Sequence, residues 1–216
     1  MNWLGGKPLG RFHTGAAEHR REIQTVLADH QIQAALDAGE LLISPFDPEM
    51  IRPAAISLRL GSDAAVLNAS QAIDARDRNT YPSLAAKAQD ELGRIVVQPY
   101  EVLLASTLEK VAISHEMTGI LDGISDVARL GISVVLSQQV SPGYGWPSGA
   151  VMTLEIVSRL PQPVMLYPGT RICNLMLMRC GRAARPYSDM LHNHSGDTKA
   201  TPSNWAAFHD QMSTGG

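Results

Sequence analysis

One carboxylate sits in a run that leaves it little water. In AVMTLEIVSRL, residues 150–160, a strand places Met152, Leu154 and Ile156 on one face and Val151, Thr153, Glu155 and Val157 on the other. Both faces are largely apolar, so Glu155 needs a hydrogen-bonding partner or a ligand. A structural ion pair and a proton carrier in a dry site both satisfy that need. Chemistry also concentrates in LDGISDVARLGISVV, residues 121–135, where Gly123, Ser125, Asp126, Arg129 and Gly131 crowd between two β-rich stretches. Polar, glycine-rich turns offer backbone N–H groups and short side chains to anions, and they also serve as plain inter-strand connections. Between these segments, VSPGYGWPSGA, residues 140–150, sets Tyr144 and Trp146 among glycines and prolines. An aromatic ring there can stack on a planar base, or it can cap the end of a barrel.

The elements that must position these residues are mostly strands. LLIS, AAISLRL, AAVLN, RIVVQ, EVLLAST, EKVAIS, ISVVLSQQV, AVMTLEIV, PVMLY and RICNLMLM are short and apolar or alternating, with Pro, Gly, Asp or Asn between most of them. That rhythm predicts an all-β barrel or sandwich. One short helix is expected over 27–39, LADHQIQAALDAG, capped by Asp29 and stopped by Gly39. Residues 69–93 are polar and read as a partly helical surface excursion. Residues 1–24 read as an N-terminal extension, a flexible arm or interface strap. The main domain spans 25–190, and 191–216 form a mobile tail.

Composition narrows the class. The chain has 216 residues, 44% hydrophobic and 18% charged, as an ordinary soluble globular domain does. A net charge of −3 argues against a nucleic-acid polymer as partner, while a small anion needs only a few local cations. Cys173 and Cys180 stand at odd spacing in one strand-like run, so they face opposite ways and are not expected to bridge. The chain has no Cys-x-x-Cys and no His-x-Glu with a following Cys pair, which removes the usual zinc site of cytidine deaminases. No run is long enough to span a membrane or to act as a signal peptide, and a reducing cytoplasm is the expected compartment.

Taken in order, the motifs resemble those of the dCTP deaminases, relatives of the trimeric dUTPases, from about Val26 to Ser203. LADHQIQAALDAGELLISPF followed by IRPAAISLRLG is similar to that family's opening helix, Pro-Phe turn and Asp-Leu-Arg-Leu-Gly strand, with Ser57 in place of the Asp. LLASTLEKVAISHEMTGILDG is similar to the Thr-x-Glu strand and the approach to the phosphate motif. GISDVARLG resembles Gly-Arg-Ser-Ser-x-x-Arg-x-Gly, and VSPGYGWPSGAVMTLEI resembles the Ile-Asp-Pro-Gly-aromatic-x-Gly loop and the strand ending in Leu-Glu. YPGTRICNL, ARPY and TPSN resemble the closing strand and tail. The resemblance implies a mainly β, distorted dUTPase-like barrel with a few short helices. It also implies a homotrimer with active sites at subunit interfaces, and zinc-independent deamination of dCTP to dUTP and ammonia. Mg²⁺ would accompany the triphosphate. Glu155 matches the proton shuttle, and Ser125 and Arg129 match the polarising and positioning residues. Gly123, Asp126, Val140, Tyr144, Trp146, Tyr187 and Lys199 are the corresponding substrate-binding candidates.

Besides Ser57, three positions depart from the pattern. Ile124 replaces an Arg and Asp126 a Ser, both at positions that face the triphosphate. At about 4 Å and an effective dielectric near 20, each unit charge there weighs about 4 kcal/mol before screening. Asp126 could turn away, ligate Mg²⁺ on the phosphates, or face a ligand with fewer phosphates. Ser141 replaces the Asp that dUTPases tie to the sugar and the attacking water, which argues against diphosphate hydrolysis. The leading expectation is dCTP deamination. The alternatives are a deaminase for another deoxycytidine nucleotide, the monophosphate or a modified base, and a non-catalytic nucleotide-binding trimer.

Overall fold

The first helix, α1 (Asp29–Asp37), opens the computed structural model, which describes residues 26–191 and 193–205; the N-terminal extension of 1–24 lies outside the described residues. Ala28 is the N-cap, and the Gln31 side chain accepts its N–H at 2.9 Å. Asp29, the expected cap, is instead the first helical residue and accepts the His30 N–H. Ile32 and Ala35 bury the inner face of the helix.

Twelve strands follow: β1 (Leu41–Ser44), β2 (Ile51–Arg52), β3 (Ala55–Asn68), β4 (Ser83–Ala86), β5 (Ile95–Val97), β6 (Val102–Ile113), β7 (Met117–Gly123), β8 (Ile132–Ser133), β9 (Gln139–Val140), β10 (Ala150–Ser158), β11 (Val164–Leu166) and β12 (Arg171–Arg179). A second helix, α2 (Ser125–Arg129), joins β7 to β8. The main sheet runs β8-β10-β6-β3-β12-β7-β9, with β1 on β6 and with β2 and β4 on β3. β5 and β11 form a separate pair. The molecule is mainly β, a curled half-barrel of the expected class. Its core holds Leu58, Leu60, Leu103, Leu154, Ile156 and Leu175, all fully covered. Among the described residues no helix is long and apolar enough to cross a membrane.

Pairing redraws several sequence expectations, among them EVLLAST and EKVAIS, which form the single strand β6. AAISLRL and AAVLN, separated by Gly61-Ser62-Asp63, are one strand with a bulge. β3 pairs with β12 up to Arg59, then shifts register between Leu60 and Ala64 to continue on β6. A Cβ on Gly61 would stand 2.9 Å from the Ser106 carbonyl oxygen, so only glycine lets the two backbones meet there. The excursion at 69–93 is not helical beyond a 3-10 turn at Arg78–Thr80, and Ser83–Ala86 within it form β4, laid antiparallel on β3.

β6 carries surplus residues opposite β10, with Val151 facing Lys110 while Thr153 faces Ser106. Thr107 fills the gap: its hydroxyl accepts the Met152 N–H at 2.9 Å and donates to the Glu109 carbonyl at 2.7 Å. Glu109, wholly buried, accepts from Arg59 N (2.8 Å) and Arg59 Nε (2.5 Å). The Thr-x-Glu sequence therefore ties β6 to β10 through Thr107 and to β3 through Glu109. Ser57 is also buried, donating to Asn174 at 2.8 Å and accepting from Arg52 at 3.0 Å, so a hydroxyl serves where the family pattern has a carboxylate.

Candidate active site

A cavity of about 740 Å³ opens on the face of β10, β6 and β3 that carries Thr153, Glu155, Leu104 and Leu67. The alternation read from the sequence holds. Leu154 and Ile156 turn into the core, and Thr153, Glu155 and Val157 stay half-buried on the opposite face. In register, Glu155 lies across from Leu104 on β6.

Glu155 Oε2 accepts the backbone N–H groups of Leu136 (3.0 Å) and Ser137 (3.4 Å). Oε1 has no hydrogen-bond partner among the described residues. The donors explain why ISVVLSQQV is not one strand: only Ile132–Ser133 and Gln139–Val140 pair, and between them the chain leaves the ladder and turns two N–H groups onto the carboxylate. The carboxylate is thus held at one oxygen and open at the other.

Tyr144 and Tyr187 form an aromatic wall, their rings stacked at 5.9 Å and 24°. The Tyr144 hydroxyl donates to the Val151 carbonyl at 2.7 Å, and burial, followed by the charge of Asp197, pushes its phenol well above the usual range. Burial likewise raises the Tyr187 phenol, opposed in part by the His194 N–H that its oxygen accepts at 3.1 Å. Both rings are neutral near pH 7. Gly145 makes this loop possible, because a Cβ at that position would stand 2.0 Å from the Val111 carbonyl oxygen.

The segment after Tyr187 closes another side. His194 Nδ1 lies 2.9 Å from Asp197 Oδ2, and the Thr201 hydroxyl donates to the same oxygen at 2.6 Å. Ala200 N–H donates to Asp63 at 2.9 Å, and Val151 N–H to the Asp197 carbonyl at 3.0 Å. Residues 193–204 are thus packed onto β3 and β10, although their composition reads as a tail.

Of the residues singled out from the sequence, Glu155, Val140, Tyr144 and Tyr187 line this cavity, together with Ser141. Ser125, Asp126 and Arg129 lie on α2, exposed and outside the lining, with Arg129 Nη1 paired to Asp126 Oδ1 at 2.9 Å. Gly123 ends β7 against Val134, and Lys199 is exposed. Trp146 packs edge-on to His115 at 6.0 Å, away from the cavity. Residues that the sequence reading missed are Thr153, Arg78, Tyr81, His194 and Asn204. Thr153 was within reach, two positions before Glu155 on the same face. The others sit in segments of turn or tail composition, which carry no periodic signal. Among the described residues no cluster of three or more His, Cys, Asp or Glu is placed to hold a metal ion.

The model of the dCTP deaminase-like family matches residues 26–180, most of the chain and every strand described above. This chain belongs to the dCTP deaminase-like family. A dCTP deaminase, dUMP-forming, of Persephonella marina is 30% identical over 175 residues, 80% of this chain and 94% of that one. A dCTP deaminase, dUMP-forming, of Acidothermus cellulolyticus is 33% identical over 199 residues, 85% of this chain and 97% of that one. The crystal structure of 2'-deoxycytidine 5'-triphosphate deaminase from Agrobacterium tumefaciens shares the fold, with a TM-score of 0.55 at 20% identity. It is matched over 73% of this chain and 49% of its own length. The dCTP deaminase-like stretch ends before Tyr187, so the side of the cavity formed by His194 and Thr201 lies beyond it.

Proposed function

We propose that this chain deaminates dCTP at C4 of the cytosine, with Glu155 as the proton carrier and without a zinc site. The observation that carries this reading is the Glu155 carboxylate, anchored through Oε2 by two backbone N–H groups and open at Oε1 inside the cavity. Water adds to C4 as Glu155 takes its proton and returns it to N3. The proton on the new hydroxyl then passes by way of Glu155 to the amine. The C4–N bond breaks, ammonia leaves and a carbonyl remains. Tyr144 and Tyr187 offer a neutral aromatic wall for the base. Mg²⁺ enters with the triphosphate, as part of the substrate.

Ser125 and Arg129 are exposed on α2, outside their own chain's cavity. We assign them to the cavity of a neighbouring copy in a homotrimer. Leu130, Leu136 and Leu160, exposed near α2 and the Glu155 loop, are apolar surface that such an assembly would cover.

The relatives' name makes dUMP their product, which needs a second hydrolysis at the α-phosphate. Here Ser141 lines the cavity at the position where that chemistry uses an aspartate. We therefore assign dUTP as the product. Incubation of purified protein with dCTP and Mg²⁺, resolved by anion-exchange chromatography, is expected to yield dUTP. Glu155→Gln is expected to lower turnover about a thousandfold. Undiminished turnover by that variant would sink the proton-carrier role, and dUMP with pyrophosphate would overturn the product assignment.

A second reading has one specific observation behind it. Asp126 pairs with Arg129, so α2 brings no net positive charge to a triphosphate. A deoxycytidine nucleotide with fewer phosphates would suit such a site, and dCMP and dCDP in the same assay separate the two readings.

A further inference from the structure

The phosphate end of the nucleotide needs positive charge, and α2 does not bring it: Ile124 is apolar and Arg129 is paired with Asp126. Among the described residues that line the cavity, Arg78 is the one Lys or Arg. Its guanidinium makes no hydrogen bond or ion pair among the described residues. Two carboxylates on the same turn are spent on backbone, Asp77 accepting from Asn79 N–H at 3.0 Å and Asp74 from Arg76 N–H at 2.9 Å. The turn is braced. Asp74 N–H donates to Thr80 Oγ1 at 2.8 Å, the Tyr81 hydroxyl donates to the Ala75 carbonyl at 2.7 Å, and β4 then locks onto β3 with Ser83 opposite Asn68. An unpartnered guanidinium is therefore held at the rim of the cavity on a fixed piece of backbone.

Arg78 and Glu155 line the same cavity from different elements, the turn before β4 and strand β10. Glu155 faces Leu104 on β6, and Leu104 faces Ala65 on β3, the strand that carries β4. Two interstrand steps put β3 about 10 Å from Glu155, and Arg78 lies beyond β3, on the turn that leads into β4. A guanidinium there can take a phosphate with two parallel N–H donors.

We propose that Arg78 reads the phosphate end of the nucleotide, supplying from the same chain the cation that position 124 lacks. This deepens the deoxycytidine-nucleotide reading above and rests on it. The test is the KM and kcat of wild type, Arg78→Gln and Arg78→Lys with dCTP, dCDP and dCMP, alongside equilibrium dialysis of each nucleotide. Arg78 is exposed, and the melting temperature of each variant checks that the fold is unchanged. Arg78→Gln is expected to raise KM for dCTP about tenfold while kcat stays within about twofold, and Arg78→Lys is expected to recover part of the loss. The factor should shrink along the series dCTP, dCDP, dCMP. A KM for dCTP equal to wild type, or an equal loss with all three nucleotides, overturns the proposal while leaving deamination intact. A wild-type protein that neither binds nor converts any of the three sinks the functional reading and this inference with it.

Discussion

Glu109 and Glu155 are carboxylates in similar apolar runs with opposite situations. Glu109 has both oxygens engaged by Arg59 and no exposure, whereas Glu155 has one oxygen engaged by backbone N–H groups and one open. Nothing in the local sequence separates them, because the partner that occupies Glu109 comes from fifty residues away. Cys173 shows what burial alone does. The interior, and then the charges of Glu109 and Asp122, push its thiol far above its ordinary 9.0, and burial pushes the Tyr144 phenol above its ordinary 10.0. Above pH 9 an unfolded chain releases protons that the folded chain keeps, so the unfolded state binds fewer protons and stability falls as pH rises. Thermal midpoints are expected to be level from pH 7 to about 8.5 and then decline, each group contributing about 1.4 kcal/mol per pH unit once past its unfolded pKa. Cys173→Ala should remove the part of the decline that begins near pH 9; an unchanged profile in that variant would rule out the thiol as its source.

Among the elements, β6 bears the most. It pairs with β1, β3 and β10, and its surplus residues opposite β10 are accommodated by the Thr107 hydroxyl and the Glu109–Arg59 pair. Glu109→Gln leaves Arg59 facing a neutral amide in the interior and is expected to cost about 3 kcal/mol. Urea unfolding should show this as a lower midpoint with an unchanged slope, and a loss below about 0.5 kcal/mol would mean the pair is dispensable. Strand periodicity was legible for β1, β5, β10, β11 and β12, where the side-chain pattern and the backbone pairing agree. It misled at Gly61, where turn-forming residues make a bulge, and at 134–138, where buried Val134 and Val135 look strand-like but the following backbone serves Glu155. A hydropathy pattern reports which side chains are covered and is silent on which acceptor each N–H finds.

At the scale of the whole molecule, the placement of α2 bears on how the chains assemble. Ser125 and Arg129 do not line their own chain's cavity, and the proposed homotrimer would let them serve a neighbour's. Light scattering is expected to give about 70 kDa, three times the 23.3 kDa chain. Glu155→Gln and Arg129→Ala chains, each inactive alone, are expected to regain activity at about a quarter of the sites when refolded together, since each site then draws an intact residue from each parent. No rescue on mixing would place Arg129 in the site of its own chain. The sequence by itself determined the β-rich class, the family and Glu155 as the residue to watch, because strand alternation and motif order survive in one dimension. The tertiary structure alone decided which oxygen of Glu155 is free, that the tail residues His194 to Asn204 wall the cavity, that Arg78 stands at its rim, and that Arg129 does not face it. Those facts depend on segments far apart in the chain meeting across a curled sheet, and no local pattern of residue types encodes such a meeting.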